Sequence, residues 1–268
     1  MEAEAEIGII GGSGFYSLLE NADARDIDTE YGKPSSKVSV GKIGNKTVAF
    51  IARHGSKHTI PPHMVPYRAN IEAFSILGVK RVIATNAVGS LNPEFRVGEI
   101  AIFDQFANMT HGRKDTFFDK DQVAHISVAD PYCEQLRHIA YEAAQKLGIP
   151  SKYHGSVVVI NGPRFSTKAE SRSFIKQGFD MINMTQYPEV ALAREKEMCY
   201  CGIGIVTDYD AGVLENTSVK PVTHAEVMKA FSKNVENVKN LISEIVAKTP
   251  KERSCSCGNA LESAMVKA

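Results

Sequence analysis

The sequence lacks several features that would point to a partner or a compartment. Lys plus Arg and Asp plus Glu number 31 each. This balance argues against a general nucleic-acid or acidic-membrane surface, although it leaves room for a local basic pocket. No apolar run approaches the ~20 residues of a membrane span, and the acidic start, Met-Glu-Ala-Glu-Ala-Glu, is unlike a secretory signal. We therefore expect a cytoplasmic protein that binds neither nucleic acid nor membrane.

Linkers, repeats and low-complexity tracts are also absent, so we predict one domain over residues 1–268, with residues 1–6 mobile and residues 253–268 as a tail or helix. Apolar runs of strand length alternate with helical patterns, which predicts an α/β fold with a mixed sheet flanked by helices. The predicted strands are Ile7–Ile10, Thr47–Ala52, Arg81–Thr85, Ile100–Phe106, Val157–Ile160, Met181–Asn183 and Ile203–Thr207. The predicted helices are Val65–Leu77, Pro131–Leu147, Lys168–Gln177, Pro188–Met198, Thr223–Ala247 and Asn259–Lys267.

Zinc-type spacing is missing although the chain has five cysteines, namely Cys133, Cys199, Cys201, Cys255 and Cys257. The two C-x-C pairs do not match the C-x-x-C spacing of zinc ribbons or of thioredoxin-like sites, so we expect no metal. Buried free thiols are the ordinary interpretation of these residues. Structural disulfides, which are common in hyperthermophiles, are the alternative.

The first loop with binding potential is glycine-rich and follows the first predicted strand. In Gly8–Gly14, exposed backbone N–H groups and the Ser13 hydroxyl suit a phosphate-sized anion. A dinucleotide fingerprint would need a third glycine where Ser17 stands, and no Gly-Lys-Ser/Thr of a P-loop follows. The alternative is a turn without a ligand.

A second loop carries a cation and several histidines after the strand that ends at Ala52. Arg53 can bind an oxyanion with two parallel hydrogen bonds, and His54 adds a donor. His54, His58 and His63 superficially resemble a metal cluster, but Pro61-Pro62 interrupts any helix and no H-E-x-x-H pattern is present.

Other strand ends offer small, apolar or ring-stacking residues. Ala84–Ser90 supplies backbone donors after a strand, and Asn161–Thr167 carries Phe165, which could stack on a flat ring, and Ser166, which could make one hydrogen bond. Met184 offers a soft apolar surface for a sugar. Singly, each residue would more often serve packing; as a set at strand ends they indicate a binding site.

Two carboxylates follow the last predicted strand. Asp208 and Asp210 are two residues apart, so on an extended chain they share one face. Acidic groups at the carboxyl edge of an open α/β sheet lie in the usual ligand crevice, and a pair suits a ligand with a ring nitrogen and an exocyclic amine. A solvated Asp-Tyr-Asp turn is the alternative.

Together these segments resemble the methylthioadenosine phosphorylases, a branch of the trimeric purine nucleoside phosphorylase family. The motifs that carry the resemblance are Gly-Ile-Ile-Gly-Gly-Ser-Gly, Ala-Arg-His-Gly, Asn-Gly-Pro-Arg-Phe-Ser, Ile-Asn-Met-Thr-Gln-Tyr-Pro-Glu and Thr-Asp-Tyr-Asp, in this order. The resemblance implies a purine nucleoside phosphorylase-like fold, a homotrimer or a dimer of trimers, and phosphorolysis of 5′-methylthioadenosine to adenine and 5-methylthioribose 1-phosphate in methionine and purine salvage.

The resemblance also implies roles for particular residues, with inorganic phosphate as co-substrate and no cofactor or metal. It assigns phosphate to Ser13, Arg53, His54, the Ala87 backbone and Thr185, the ribose to Met184, and the base to Phe165, Ser166, Asp208 and Asp210. It assigns the 5′ group to His224, Val227 and Met228, with His125 from a neighbouring subunit. Asp208 would protonate N7 of the leaving base, and Asp210 would orient it or accept from the 6-amino group.

The choice of base and of 5′ group follows from three positions. Relatives that act on 6-oxopurines carry Glu where Ser166 stands and Asn where Asp208 stands, so this pair indicates a 6-aminopurine. His224 departs from the strict methylthio pattern, in which the aligned residue is apolar, so we expect a mixed pocket that also takes adenosine. The alternatives are a 6-oxopurine nucleoside phosphorylase, a hydrolase that uses water in place of phosphate, and a Rossmann-type dinucleotide-binding protein.

Overall fold

The computed structural model describes residues 4–12, 18–213 and 223–266, which form eleven strands in one mixed sheet and five α-helices. The strands are β1 (Ile7–Gly11), β2 (Glu20–Arg25), β3 (Val38–Ile43), β4 (Lys46–Ala52), β5 (Arg81–Ser90), β6 (Ile100–Ile102), β7 (Gln105–Met109), β8 (Ser151–Lys152), β9 (Ser156–Ile160), β10 (Met181–Asn183) and β11 (Cys199–Tyr209). The helices are α1 (Tyr67–Ile76), α2 (Glu134–Lys146), α3 (Lys168–Lys176), α4 (Gln186–Glu195) and α5 (His224–Lys248). The predicted α/β class is confirmed.

The sheet is arranged around β5. Its strand order is β2-β3-β4-β1-β5-β10-β9-β7, while β11 pairs with β5 and β6, and β8 lies beyond β6. β4, β1, β5 and β11 run parallel, whereas β10 joins the end of β5 antiparallel, at Gly89 and Ser90. The carboxyl ends of β4 and β1 therefore point along β5 in one direction. The carboxyl end of β10 points in the opposite direction. Such a change in strand order is where open α/β sheets bind ligands.

The interior of the sheet is built from continuous Val, Ile and small residues, as expected for strands covered on both faces. Phe103 shows how closely it is packed, because its ring covers two glycines of β11. A Cβ added at Gly202 or Gly204 would lie 2.6 Å from ring atoms of Phe103, so larger residues at these positions would displace the ring.

The single predicted strand Ile100–Phe106 is wrong, because this segment belongs to two separate strands. The chain forms β6 against β11, turns at Phe103 and Asp104, and then forms β7 against β9. The Phe103 N–H still donates to the Gly202 carbonyl, but the Asp104 N–H donates to the Gly155 carbonyl. One apolar run thus forms two strands that pair with different neighbours in the sheet.

Both ends of the described chain differ from expectation. Residues 4–6, expected to be mobile, are hydrogen-bonded by their backbone to Leu77 and Thr47, and Ala5 is fully buried. The predicted helix Asn259–Lys267 is wrong for its described residues, which follow a short 3-10 helix, Ser256–Asn259, with turns. No helix among the described residues is long and apolar enough to cross a membrane.

Candidate active site

Arg53, directly after β4, is held in a closed network of hydrogen bonds. Its Nε and Nη2 donate to the two carboxylate oxygens of Glu189, each at 2.8 Å, and its Nη1 donates to the Thr85 carbonyl at 2.8 Å. The side chains of Arg53 and Glu189 are only 3% and 0% exposed. Burial opposes the charge on Arg53, but the Glu189 carboxylate outweighs it and raises the pKa. Two of the five guanidinium N–H groups remain for a further anion.

His54 beside it is kept neutral and in one tautomer. Its Nδ1 lies 2.9 Å from the Ile60 carbonyl, and because a carbonyl only accepts, Nδ1 carries the proton. Burial lowers the pKa of His54 to about 4, and the Arg53 charge adds to this effect. Nε2 therefore carries a lone pair, so this ring nitrogen accepts a hydrogen bond rather than donating one as the sequence suggested.

The ends of β5 and β10 complete this side of the site. The buried Thr185 hydroxyl donates to the Asn86 side-chain carbonyl at 3.1 Å, and the Asn183 side-chain oxygen accepts from the Thr185 and Gln186 N–H groups at 2.6 and 2.8 Å. The Asn183 amide donates to the Ala87 carbonyl at 3.1 Å. Arg53 and Ala87 are thus brought to the same sheet edge as Thr185. Ser13 lies outside the described residues, but the β1 residue Gly11 accepts from the Arg53 N–H at 3.0 Å.

Asp208 lies on the opposite side of β5 from β1 and β10. It belongs to β11 itself and does not follow that strand as the sequence predicted. A bulge between Val206 and Asp208 places Asp208 opposite Gly89, where a Cβ on the glycine would lie 3.1 Å from Oδ2. The Thr207 hydroxyl donates to Oδ1 at 2.7 Å. Burial raises the pKa of Asp208 to about 6, with smaller contributions from the charges of Asp210 and Glu226. This carboxyl therefore holds its proton up to a higher pH than an ordinary aspartate, with half of the molecules protonated at about pH 6.

Asp210 follows the strand and is buried. Its N–H donates to the Ser90 carbonyl at 2.9 Å. Burial raises the pKa of its carboxyl, although the hydroxyls of Ser171 and Ser166 lower it. The Ser166 hydroxyl lies close enough to the Asp210 carboxyl to lower its pKa, but in the described part of the chain neither this buried hydroxyl nor the buried Oδ2 of Asp210 makes a hydrogen bond of standard geometry. Buried polar atoms of this kind normally have partners, so a ligand with matching groups would complete both.

Met184 and the loop that carries Phe165 and Ser166 are joined through Gly162 and Arg113. Gly162 has φ +63° and approaches Met184 so closely that a Cβ would lie 2.6 Å from the thioether sulfur. Arg113 Nη2 donates to the carbonyls of Met184 and Asn161, at 2.9 and 3.1 Å. Phe165 is 40% exposed, so part of its surface is available for stacking.

The residues expected to contact the 5′ group are only partly described. Val227 is half-buried and Met228 exposed in the first turns of α5, which begins at His224; the His224 side chain lies outside the described part. His125 is exposed, and its N–H donates to the Ala264 carbonyl at 2.8 Å.

Sequence reasoning missed the residues that hold the others in place, namely Glu189, Asn86, Asn183, Tyr200 and Arg113. Tyr200 donates to Glu189 at 2.6 Å, so the carboxylate that binds Arg53 has three donors. Glu189 and Asn183 stand within a motif that carried the resemblance, but the pair Arg53–Glu189 spans 136 residues. No local spacing could have revealed it.

Comparison with known proteins shows the family of the chain. The model of the phosphorylase superfamily matches residues 6–247. The chain belongs to this superfamily. It is 48% identical over 265 residues to the S-methyl-5′-thioadenosine phosphorylase of Thermofilum pendens, covering 98% of this chain and 99% of the relative. The resemblance inferred from the motifs is confirmed.

Solved structures of such phosphorylases are also similar to this chain. A methylthioadenosine phosphorylase from an Antarctic soil metagenomic library is 37% identical with a TM-score of 0.91, covering 99% of this chain and 93% of that one. The methylthioadenosine phosphorylase of Schistosoma mansoni in complex with adenine is 37% identical with a TM-score of 0.86, covering 91% of each chain.

Proposed function

We propose that this protein cleaves 5′-methylthioadenosine with inorganic phosphate, giving adenine and 5-methylthioribose 1-phosphate, and that it also accepts adenosine. The observation that carries the proposal is the division of the site. A buried, charge-balanced arginine lies on one side of β5, and two carboxyls with raised pKa lie on the other. The names of the relatives support the same reaction.

The anion side holds phosphate under the ribose. The two unused N–H groups of Arg53 and backbone N–H groups near Ala87 and Ser13 donate to it, and the Thr185 hydroxyl does so by turning its single hydrogen away from Asn86. Neutral His54 accepts from the remaining phosphate O–H through Nε2. Because Arg53 is already fixed by Glu189, little reorganisation is needed when phosphate arrives, and preorganised donors of this kind stabilise the charge that develops as the C1′–N9 bond breaks.

The base side supplies a proton to the leaving group. Asp208 donates to N7 of the purine as electrons move from the glycosidic bond into the ring, and help of this kind contributes ~10²–10⁴-fold. Asp210 accepts from the 6-amino group through its unpartnered oxygen, and the Ser166 hydroxyl donates to N1, which in adenine is a bare acceptor. Phe165 stacks on the ring and Met184 packs against the ribose.

The 5′ pocket is mixed in character. Val227 and Met228 provide an apolar wall for a methylthio group, and His224 and the His125 of a neighbouring subunit offer polar contacts to a 5′-hydroxyl. We further propose that the protein is a homotrimer or a dimer of trimers, in which His125 comes from a neighbouring subunit, and that it acts in the cytoplasm. The mixed pocket predicts that His224→Val reduces kcat/KM for adenosine much more than for methylthioadenosine.

One assay tests the reaction. Release of the free base, adenine or hypoxanthine, is measured from methylthioadenosine, adenosine and inosine, each with and without phosphate. We expect adenine to be released from methylthioadenosine and adenosine only when phosphate is present. The sugar products should be 5-methylthioribose 1-phosphate and ribose 1-phosphate. Equal release without phosphate would identify a hydrolase, and preferential cleavage of inosine would identify a 6-oxopurine enzyme.

A further inference from the structure

Arg113 lies where three neighbouring parallel strands of the sheet end. It follows β7, which pairs with β9, and β9 in turn pairs with β10. The last paired residues of β9 and β10 are Val159 and Asn183. Beyond them the two chains no longer pair, because β9 leads into the loop 161–166 and β10 leads towards α4. Backbone carbonyls past the last pair therefore need donors from outside the sheet.

The guanidinium of Arg113 supplies these donors. Its Nη2 donates to the carbonyls of Met184 and Asn161 at 2.9 and 3.1 Å, and its Nη1 donates to the carbonyl of Tyr187. In the described part of the chain its acceptors are backbone carbonyls and the Tyr67 hydroxyl, at 3.3 Å, with no carboxylate among them. The planar fork of N–H groups thus connects the segment after β9 to the segment after β10.

The two segments that Arg113 connects differ in how they are otherwise held. The segment after β10 is fixed to β5, because the Asn183 side chain accepts from the N–H groups of Thr185 and Gln186 and donates to the Ala87 carbonyl. The loop 161–166 lacks such support, since among the described residues its backbone makes no hydrogen bond with the backbone of another segment. Arg113 therefore fastens a weakly supported loop to a firmly supported one.

We propose that Arg113 is a positioning residue for base selection, which holds the loop that carries Phe165 and Ser166 at a fixed distance from Met184. This inference rests on the proposed function, in which Phe165 stacks on the purine and the Ser166 hydroxyl donates to N1. With Arg113 in place, the base contacts of the loop and the ribose contact of Met184 fit one substrate. Without Arg113, the loop shifts while Asp208 and the anion side stay in place, so Ser166 loses its alignment with N1.

The test compares the parent protein with Arg113→Lys, which keeps the positive charge but replaces the planar fork by a single nitrogen. Steady-state kinetics are measured with methylthioadenosine, adenosine and inosine, and with phosphate varied. We expect kcat/KM for methylthioadenosine to fall about 100-fold, as for a substrate misplaced by ~1 Å. The ratio of kcat/KM for adenosine to that for inosine should fall about tenfold, the effect of one mismatched buried hydrogen bond. The KM for phosphate should stay close to that of the parent.

Arg137→Lys is the matched control, because Arg137 is a second arginine that binds backbone carbonyls of distant segments. Its Nε and Nη2 donate to the carbonyls of Phe103 and Tyr153, each at 2.8 Å, and neither of these residues belongs to the loop 161–166 or to the segment after β10. This variant should have a lower melting temperature than the parent but the same kcat/KM values and the same base preference. A loss of stability alone would therefore not imitate the expected result.

A second variant displaces the same loop with Arg113 intact and serves if Arg113→Lys fails to fold. In Gly162→Ala the added Cβ would lie 2.6 Å from the Met184 sulfur, so the loop must move away and base preference should shift in the same direction.

The outcomes separate this inference from the proposed function. A parent protein without phosphate-dependent base release would overturn the proposed function and this inference with it. An active parent whose base preference is unchanged in Arg113→Lys and Gly162→Ala, or is shifted equally in Arg137→Lys, would overturn the inference alone.

Discussion

The two sides of the candidate site are built on opposite principles. On the anion side, Arg53 and Glu189 satisfy each other with two hydrogen bonds at 2.8 Å, and Tyr200 adds a third donor to the carboxylate. On the base side, Asp208 carries a raised pKa, and among the described residues Asp210 Oδ2 and the Ser166 hydroxyl are buried without a hydrogen bond of standard geometry. Groups of the protein itself satisfy the hydrogen bonds of the anion side. The polar atoms of the base side would instead gain partners from a ligand. Buried polar groups that lack hydrogen bonds are thus concentrated where we place the proton transfer.

The largest expected effect is on catalysis and comes from the base side. Asp208→Ala removes the acid while leaving the anion side intact, so kcat should fall ~10²–10⁴-fold with a much smaller change in KM for methylthioadenosine and for phosphate. Steady-state kinetics with both substrates varied provide the measurement. An unchanged kcat would remove Asp208 from the mechanism.

The anion side should instead respond in stability as well as in activity. Glu189→Ala leaves the Arg53 charge buried without its partner, which typically costs ~3–5 kcal/mol, and should raise the KM for phosphate. Urea unfolding measures the first effect and phosphate titration the second.

Two further variants sharpen this prediction. Replacing the pair together, as Arg53→Met with Glu189→Leu, should recover most of the lost stability without recovering phosphate-dependent activity. Glu142→Ala removes an exposed carboxylate paired with His138 and should change stability by less than ~0.5 kcal/mol. If the double variant is as unstable as Glu189→Ala, the internal balance of the anion side is not what matters.

A smaller effect concerns the choice of base. Asp208→Asn supplies an amide where 6-oxopurine enzymes have one, so activity should shift toward inosine relative to adenosine by about tenfold, in keeping with the ~1–3 kcal/mol cost of mismatched buried polar groups. A panel of kcat/KM values for both nucleosides measures the shift. A constant ratio would mean that Ser166 or the backbone sets base preference.

Strands could be predicted from the sequence wherever they have an apolar pattern of their own. β1, β4 and β10 were predicted within one residue at each end, since they are short runs of buried Ile, Val, Ala or Met. β2, with the sequence Glu-Asn-Ala-Asp-Ala-Arg, is an exposed edge strand that pairs with β3. Its polar composition gave no signal.

For the site, the sequence indicated the residues that we propose face a ligand but not those that hold them in place. Arg53, Thr185 and Asp208 stand at strand ends, which a local pattern reveals. Glu189 and Arg113 act through contacts that join distant segments, and only the folded chain brings these together. The cysteines repeat the lesson, because the fold gathers four of them from distant segments and their C-x-C spacing did not reveal this.

The pH dependence of kcat/KM for methylthioadenosine tests the central claim most directly, with the parent protein compared to Asp208→Asn. Because the acid must be protonated and burial raises the pKa of Asp208 to about 6, the parent rate should fall about tenfold per pH unit above that value. The reaction of the variant still depends on the ionisation of phosphate. The ratio of the parent profile to the variant profile therefore isolates the ionisation of Asp208. The account predicts a ratio that falls as pH rises through about 6, and a ratio that stays flat or rises would contradict it.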